Sequence, residues 1–341
     1  MKKASVNVGY ALIISMLCFI LNITSCKKDD NSIKFPKGTF PDTPDSIATP
    51  LTDINSEYDD YNGSLNQYLS DIVLVFSSTR GSSGGKTDLL QGSMGYTWDQ
   101  TTGVFDYSSE ITSDAFLTKL IDSANTSGDD FGPYRTFCAY DGFQYLLLAS
   151  ENGEGNPDLY YYKSLPGNGS TLPAVQGPYP ATILNTDYRD EYICFDVTQN
   201  TAFFSSNRGG DFDIYLADTC KYGISTFLHG DYPYSVRSAD SFNSSYDDEC
   251  PFIHNKIMVF ASNRLDTIGG KFDLYYSINK HGKWCSPINF GERINTTSNE
   301  FRPVLLANID FTNYILIFSS DRPGGKGGYD LYFKGVTIST E

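Results

Sequence analysis

The chain has 341 residues, with 41 acidic against 25 basic side chains and a formal net charge of −16. That balance repels phosphate backbones and argues against nucleic acid as a partner. Aromatic residues at 15% together with 30 glycines fit an all-β, turn-rich chain, and the length suffices for one large buried core.

Lys2 and Lys3 precede an apolar run from Tyr10 to Ile23, which ends at Thr24-Ser25-Cys26. This is the pattern of an export signal, too short and too soon followed by charge to span a membrane. Ile23-Thr24-Ser25-Cys26 resembles the lipobox of bacterial lipoproteins. The resemblance implies that residues 1–25 are removed and that Cys26 carries lipid; the alternative is an ordinary signal peptide with an incidental Cys26. Lys27-Lys28-Asp29-Asp30 looks like the tetrad that sends some lipoproteins to the outer leaflet, although a solvated charge cluster is common near a terminus. Pro36, Pro41, Pro44 and Pro50 then alternate with Ser, Thr and Asp, so residues 26–47 read as an extended tether.

Residues 48–341 repeat one hairpin. An apolar run ends at Phe76, Leu148, Phe204, Phe260 and Phe318, and Arg80, Asn152, Arg208, Arg264 and Arg322 follow four residues later. After a turn comes an Asp-aliphatic pair, starting at Asp88, Asp158, Asp213, Asp273 and Asp330. Upstream lies an Asn with an acid five or six positions on: Asn55/Asp60, Asn125/Asp130, Asn185/Glu191, Asn243/Glu249 and Asn295/Glu300. The copies stand about 55 to 70 residues apart, the period of a four-stranded propeller blade. These residues resemble the WD-like β-propeller repeats of TolB and other bacterial envelope proteins. Trp284 to Thr296, with Glu300 and Pro303, matches the second half of that pattern almost in full. The expected fold is an all-β propeller of five four-stranded blades over residues 48–341.

Within a blade, strand a follows the acid, strand b is the apolar run, strand c starts at the Asp-aliphatic pair, and strand d is best seen at Trp284 to Phe290. Strand b lacks alternation because neighbouring blades cover both of its faces. Too few residues follow the last strand c to make a strand d. Thr49 to Asn55, which resembles the segment around Pro287 to Asn295, is expected to supply the outer strand of the last blade and close the ring. Phe116, Leu117, Leu120 and Ile121 fall at helical spacing behind a Ser113 cap. Lys163 to Tyr179 is rich in Pro and Gly and reads as a loop.

Gly81 to Gly85 matches G-x-S-x-G but occupies the b–c turn, so it reads as a turn and not as a nucleophile elbow. Cys138, Cys194, Cys220, Cys250 and Cys285 form no C-x-x-C pair and read as free thiols. His229, His254 and His281 have no ligand spacing, and no metal is expected from them. The recurring Arg and Asp residues read as turn ties through charge-assisted hydrogen bonds. Asp60, Asp129, Asp130, Glu191, Glu249 and Glu300 gather on one face, a candidate site for Ca²⁺ or a basic partner unless the arginines neutralise them. No cofactor is expected beyond that Ca²⁺. Tyr160, Tyr161, Tyr162, Tyr179, Tyr232 and Tyr234 offer rings for a peptide or glycan.

The expected function is a non-catalytic, lipid-anchored binding or scaffold subunit of an outer-membrane, surface-exposed complex such as a nutrient-uptake system. A protein partner in that membrane is implied. The alternatives are a carbohydrate-active five-bladed enzyme and a periplasmic TolB-like scaffold. The first two are told apart by whether the axis gathers acids that break the repeat or only acids that follow it.

Overall fold

A computed structural model describes residues 38–39, 47–65, 72–99, 102, 104–151, 156–166, 172–219, 223–231, 234–269, 271–308 and 311–340. Cys26 and the tetrad after it, Asn152, Cys220 and Tyr232 lie outside the described residues.

The strands form five antiparallel sheets whose strands a pack side by side around a ring, the last against the first. Blade 1 comprises strands a to d at Asp60–Leu65, Ile72–Ser78, Asp88–Asp99 and Val104–Ile111. Blade 2 comprises Asp130–Phe137, Gln144–Ser150, Asp158–Ser164 and Gln176–Pro180. Blade 3 comprises Asp190–Phe195, Thr201–Ser206, Asp213–Asp218 and Val236–Ser238. In blade 4, Asp248–His254, Ile257–Ser262 and Asp273–Lys280 are followed by two short outer pieces, Lys283–Trp284 and Ile288–Asn289. Blade 5 comprises Glu300–Ala307, Tyr314–Ser320, Asp330–Val336 and, from the other end of the chain, Thr49–Pro50. The expected five-bladed ring and its closing strand are both present.

Strand b is apolar throughout because it is sandwiched. Phe76, Phe204, Phe260 and Phe318 are wholly buried between blades. An amide side chain then joins each blade to the one before it. Asn55, Asn125, Asn185, Asn243 and Asn295 each accept from the N–H of one strand c residue and donate to that residue's carbonyl. The residues so held are Leu331, Leu89, Leu159, Ile214 and Leu274, the aliphatic members of the Asp-aliphatic pairs. Each amide therefore stands in for a strand residue and satisfies a buried peptide group.

Strand a carries a bulge just after its acid in all five blades. The bulged residues are Asn62, Gly132, Tyr192, Cys250 and Arg302, all at positive φ. The bulge turns these side chains toward the neighbouring blades and the axis, and three of them are stitched sideways. The N–H groups of Asn62, Gly132 and Cys250 donate to Ser319, Ser77 and Ser205 on strand b of the preceding blade, at 2.9, 3.2 and 2.9 Å.

Two local readings need correction. The helix α1 spans Ala115–Ala124 and is capped by Asp114, not Ser113: the Asp114 carboxylate accepts from the Leu117 N–H at 2.8 Å. Its Leu117, Leu120 and Ile121 pack on Leu146, Leu148 and Tyr162 of blade 2. Gln176–Pro180, read as loop, is the outer strand of blade 2. All five of its residues are exposed, so no alternation of polarity marks it. A short helix, α2, spans Ile224–His229 and ends on Gly230 in the left-handed conformation that glycine adopts freely.

Closure rests on few groups: Thr49 and Pro50 pair with Phe333 and Tyr332, and Leu51 donates to Leu331. Asn55→Ala removes the acceptor of the buried Leu331 N–H and should cost about 1–3 kcal/mol. The check is a lower urea midpoint at unchanged slope; a variant that unfolds like the parent would show that the amide bridge does not hold the seam.

Candidate functional site

The acids that begin strand a are consumed by the fold. Asp60, Asp130, Asp190, Asp248 and Glu300 each accept from the backbone N–H and the hydroxyl of a Ser or Thr four residues earlier. Four also receive the arginine of their own hairpin: Arg80 to Asp60 at 2.6 Å, Arg208 to Asp190 at 2.5 Å, Arg264 to Asp248, and Arg322 to Glu300 at 3.0 Å. Each guanidinium also donates to the carbonyl just before the bridging Asn and lies over the strand b phenylalanine. The arginines are turn ties, as the sequence implied.

The spacing from Asn to this acid is five in every blade, so blades 3 and 4 use Asp190 and Asp248. Glu191 and Glu249, paired with the same asparagines in the sequence reading, lie one residue farther on, beside the bulge. In blade 2, Asp130 has Thr126 and Ser150 as partners and no ion pair among the described residues; burial pushes its carboxyl up. Asp129 accepts from the Thr87 N–H at 2.7 Å and ties blade 2 to blade 1. Asp59 and Asp247 do the same at Tyr329 and Phe212. Among the described residues no cluster of three His, Cys, Asp or Glu is placed to hold a metal.

The Asp-aliphatic acids serve the turns. Asp88 pairs with Lys86 at 2.6 Å, Asp273 accepts from Ile268 and Asn289, and Asp330 accepts from Lys326 and Gly327. Asp158 begins strand c of blade 2 in the same register. Asp213 is pushed up to about 6 by burial and by the charges of Asp248, Asp211, Asp240 and Asp247. Tyr161 and Tyr162 are buried, whereas Tyr179 is partly exposed.

The remaining unusual residues are those that break the repeat. Where other blades have Asp59, Asp129, Asp247 or Asn299, blade 3 has Arg189. Where blades 1, 2 and 5 have Tyr61, Phe131 and Phe301, blades 3 and 4 have Glu191 and Glu249. Where Thr79, Asn207, Asn263 and Asp321 accept from the backbone of the strand a entrance, blade 2 has Glu151. Arg189 reaches back to Glu191, Nε to Oε1, at 2.7 Å. Glu191 is only 2% exposed and Glu249 7%, while the Arg189 side chain is 45% exposed.

Burial raises the Glu191 carboxyl, Arg189 opposes the rise, and the charges of Asp190 and Glu151 add to it. Glu249 is raised well above the usual carboxylate range, first by burial and then by the charge of Glu191. The asymmetry has a simple cause. Glu191 has a guanidinium against it, which opposes the rise, whereas the charge of Glu191 adds to the rise at Glu249. Behind them the Tyr192 ring crosses the axis, near Phe131 and Phe301 at 5.9 and 5.8 Å. It fits because Gly132 has no Cβ, which would lie 2.8 Å from the ring. Cys194 and Cys250 are buried free thiols, the former pushed up to about 12 by burial.

The fold and site thus define a five-bladed propeller in which two consecutive blades carry a buried glutamate, Glu191 and Glu249, at the strand a bulge. No protein-family model matches the chain, and no curated protein matches it in sequence. Solved structures do. A thermostable family-43 glycoside hydrolase is 11% identical with a TM-score of 0.51, covering 86% of this chain and 94% of that one. An endo-arabinase from Bacteroides thetaiotaomicron is 13% identical with a TM-score of 0.49, covering 86% and 98%. The catalytic domain of a Coprinopsis cinerea GH62 α-L-arabinofuranosidase is 12% identical with a TM-score of 0.49, covering 88% and 97%. At such identity the likeness establishes the fold. The expectation of a non-catalytic scaffold that is not an enzyme is corrected here: the propeller with a TM-score of 0.51 is a glycoside hydrolase, and Arg189, Glu191 and Glu249 break the repeat of this chain.

Asp213 yields a pH test. An acid whose folded pKa lies above its unfolded value of about 3.9 binds more protons when folded, so its contribution to stability falls as pH rises between the two values. Asp213→Asn should therefore be stabilised relative to the parent at pH 7 and lose that advantage at pH 4. Denaturant midpoints at the two pH values check this; an unchanged difference would exclude repulsion at Asp213.

Proposed function

We propose that the chain is a glycan-active hydrolase whose acid is Glu249 and whose ionised carboxylate is Glu191. The observation that carries this is a pair of buried carboxyls on adjacent blades, one of them bonded to Arg189, at positions where the other three blades carry aromatic rings. Glycosidic bond cleavage needs that division: one carboxyl gives a proton to the leaving oxygen, the other supplies negative charge to a sugar ring that is becoming positive. Glu249 holds the proton because it is buried beside Glu191, and Glu191 stays ionised because Arg189 is bonded to it. Glu151 adds a third negative group. Arg189 is the most exposed member of the set, so it is the first that an incoming sugar meets. Water supplies the replacing oxygen, and the proton it loses restores the one that Glu249 gave to the leaving group.

The test is hydrolysis of a panel of plant and microbial polysaccharides and aryl glycosides, with arabinan and arabinoxylan included. Glu249→Gln and Glu191→Gln should each lose about 10²–10⁴-fold in kcat/KM, while Asp129→Asn, a blade tie, should keep its kcat. Full activity in Glu249→Gln, or no cleavage of any glycan by the parent, would overturn the assignment.

We also propose export and lipid anchoring at Cys26, with display at the outer-membrane surface, where polymeric glycans are met. The basic start, the apolar run and the Ile23-Thr24-Ser25-Cys26 sequence support this reading. Cys26→Ala should leave the protein soluble or uncleaved when cell fractions are compared; a cleaved variant still held in the membrane would count against it.

A further inference from the structure

The five bulged residues of strands a meet a different constraint from the carboxylates beside them. Arg302 is fully buried, and its guanidinium lies 5.3 Å from the centre of the Tyr192 ring. Its Nη2 donates to the Pro133 carbonyl at 3.0 Å, whereas Nε and Nη1 have no acceptor among the described residues. No ion pair among the described residues involves it. One blade on, at the same bulge position, Asn62 is fully buried, and neither of its amide atoms, Nδ2 and Oδ1, has a partner among the described residues. The Cys194 and Cys250 thiols lie near enough to Arg302 to feel its charge, and both are kept protonated by burial.

An arginine cannot shed its proton to escape burial, and an uncompensated buried charge is strongly destabilising. The unused groups at this level are nearly all donors: guanidinium N–H, carboxamide N–H and two weak S–H groups. Such a set repels a metal cation. Blade 5 thus buries a positive charge here, and blade 1 adds a neutral amide with an N–H to give.

We propose that a small monovalent anion, chloride in ordinary salt, binds at the propeller axis against Arg302 and Asn62. The anion neutralises the guanidinium and accepts from its free N–H groups and from the Asn62 amide. Where the hydrolase reading holds, it has a second effect: a negative charge behind Glu249 helps to keep the proton there. The binding itself does not depend on that reading.

The decisive experiment is crystallographic. Protein purified and crystallised with sodium bromide in place of chloride should show an anomalous difference peak between Arg302 and Asn62; an axis that holds only water would overturn the proposal. In solution, replacing gluconate by chloride or bromide at constant ionic strength should raise the melting temperature of the parent by several degrees and then saturate. Arg302→Met should show no such response, and an equal rise in that variant would also overturn the site. Should Arg302→Met fail to fold, the bromide map of the parent decides. A bromide peak together with fully active Glu249→Gln would keep the anion and remove the hydrolase.

Discussion

The ring depends on a carboxamide that imitates a strand. A primary amide offers a donor and an acceptor side by side, which is what one residue of a neighbouring β-strand would present. In each blade the bridging Asn uses both on a buried strand c residue of the blade before. The next residue, Ser or Thr, is bonded to the acid that opens strand a. Six consecutive residues thus finish one blade and start the next, and in blades 1, 3, 4 and 5 the arginine of the hairpin locks the joint by bonding to the acid and to the carbonyl before the Asn. That geometry accounts for the repeat more fully than any apolar pattern does.

Much of this was legible in the sequence. The sandwiched apolar runs, the Gly-rich turns and the short tail after Val336 pointed to five blades and to closure by Thr49 and Pro50. The register of strand a was not legible, because Asp190-Glu191 and Asp247-Asp248-Glu249 place acids side by side and only the bulge determines which one meets the arginine. Ser113 and Asp114 are both competent caps, and Gln176–Pro180 carries no pattern because neither of its faces is buried. The site was obscured for the same reason as the register: Glu191 and Glu249 looked like members of the repeat. Aligned on the constant Asn-to-acid spacing, they and Arg189 stand out as departures from it.

Departures also mark where the backbone is least comfortable. At the bulge, Asn62 and Gly132 are residue types that tolerate positive φ, but Tyr192, Cys250 and Arg302 are not. Such conformations persist only where the surroundings enforce them, and they concentrate at working sites. The three strained positions belong to blades 3, 4 and 5, next to Glu191, to Glu249 and to the buried guanidinium.

The serine stitches between blades are not evenly spaced around the circle. Ser319, Ser77 and Ser205 join blade 5 to 1, 1 to 2 and 3 to 4. At the other two seams strand b has Ala149 and Ala261, which offer no hydroxyl to Tyr192 and Arg302. The propeller is therefore two arcs: one of blades 5, 1 and 2, and one of blades 3 and 4 that bears Glu191 and Glu249 together. The two alanine seams lack that stitch and are crossed by the Asn bridges, Asn185 to Leu159 and Asn295 to Leu274. Glu191 and Glu249 thus sit on one stitched pair of blades, joined by Ser205, and Glu151 on the other arc.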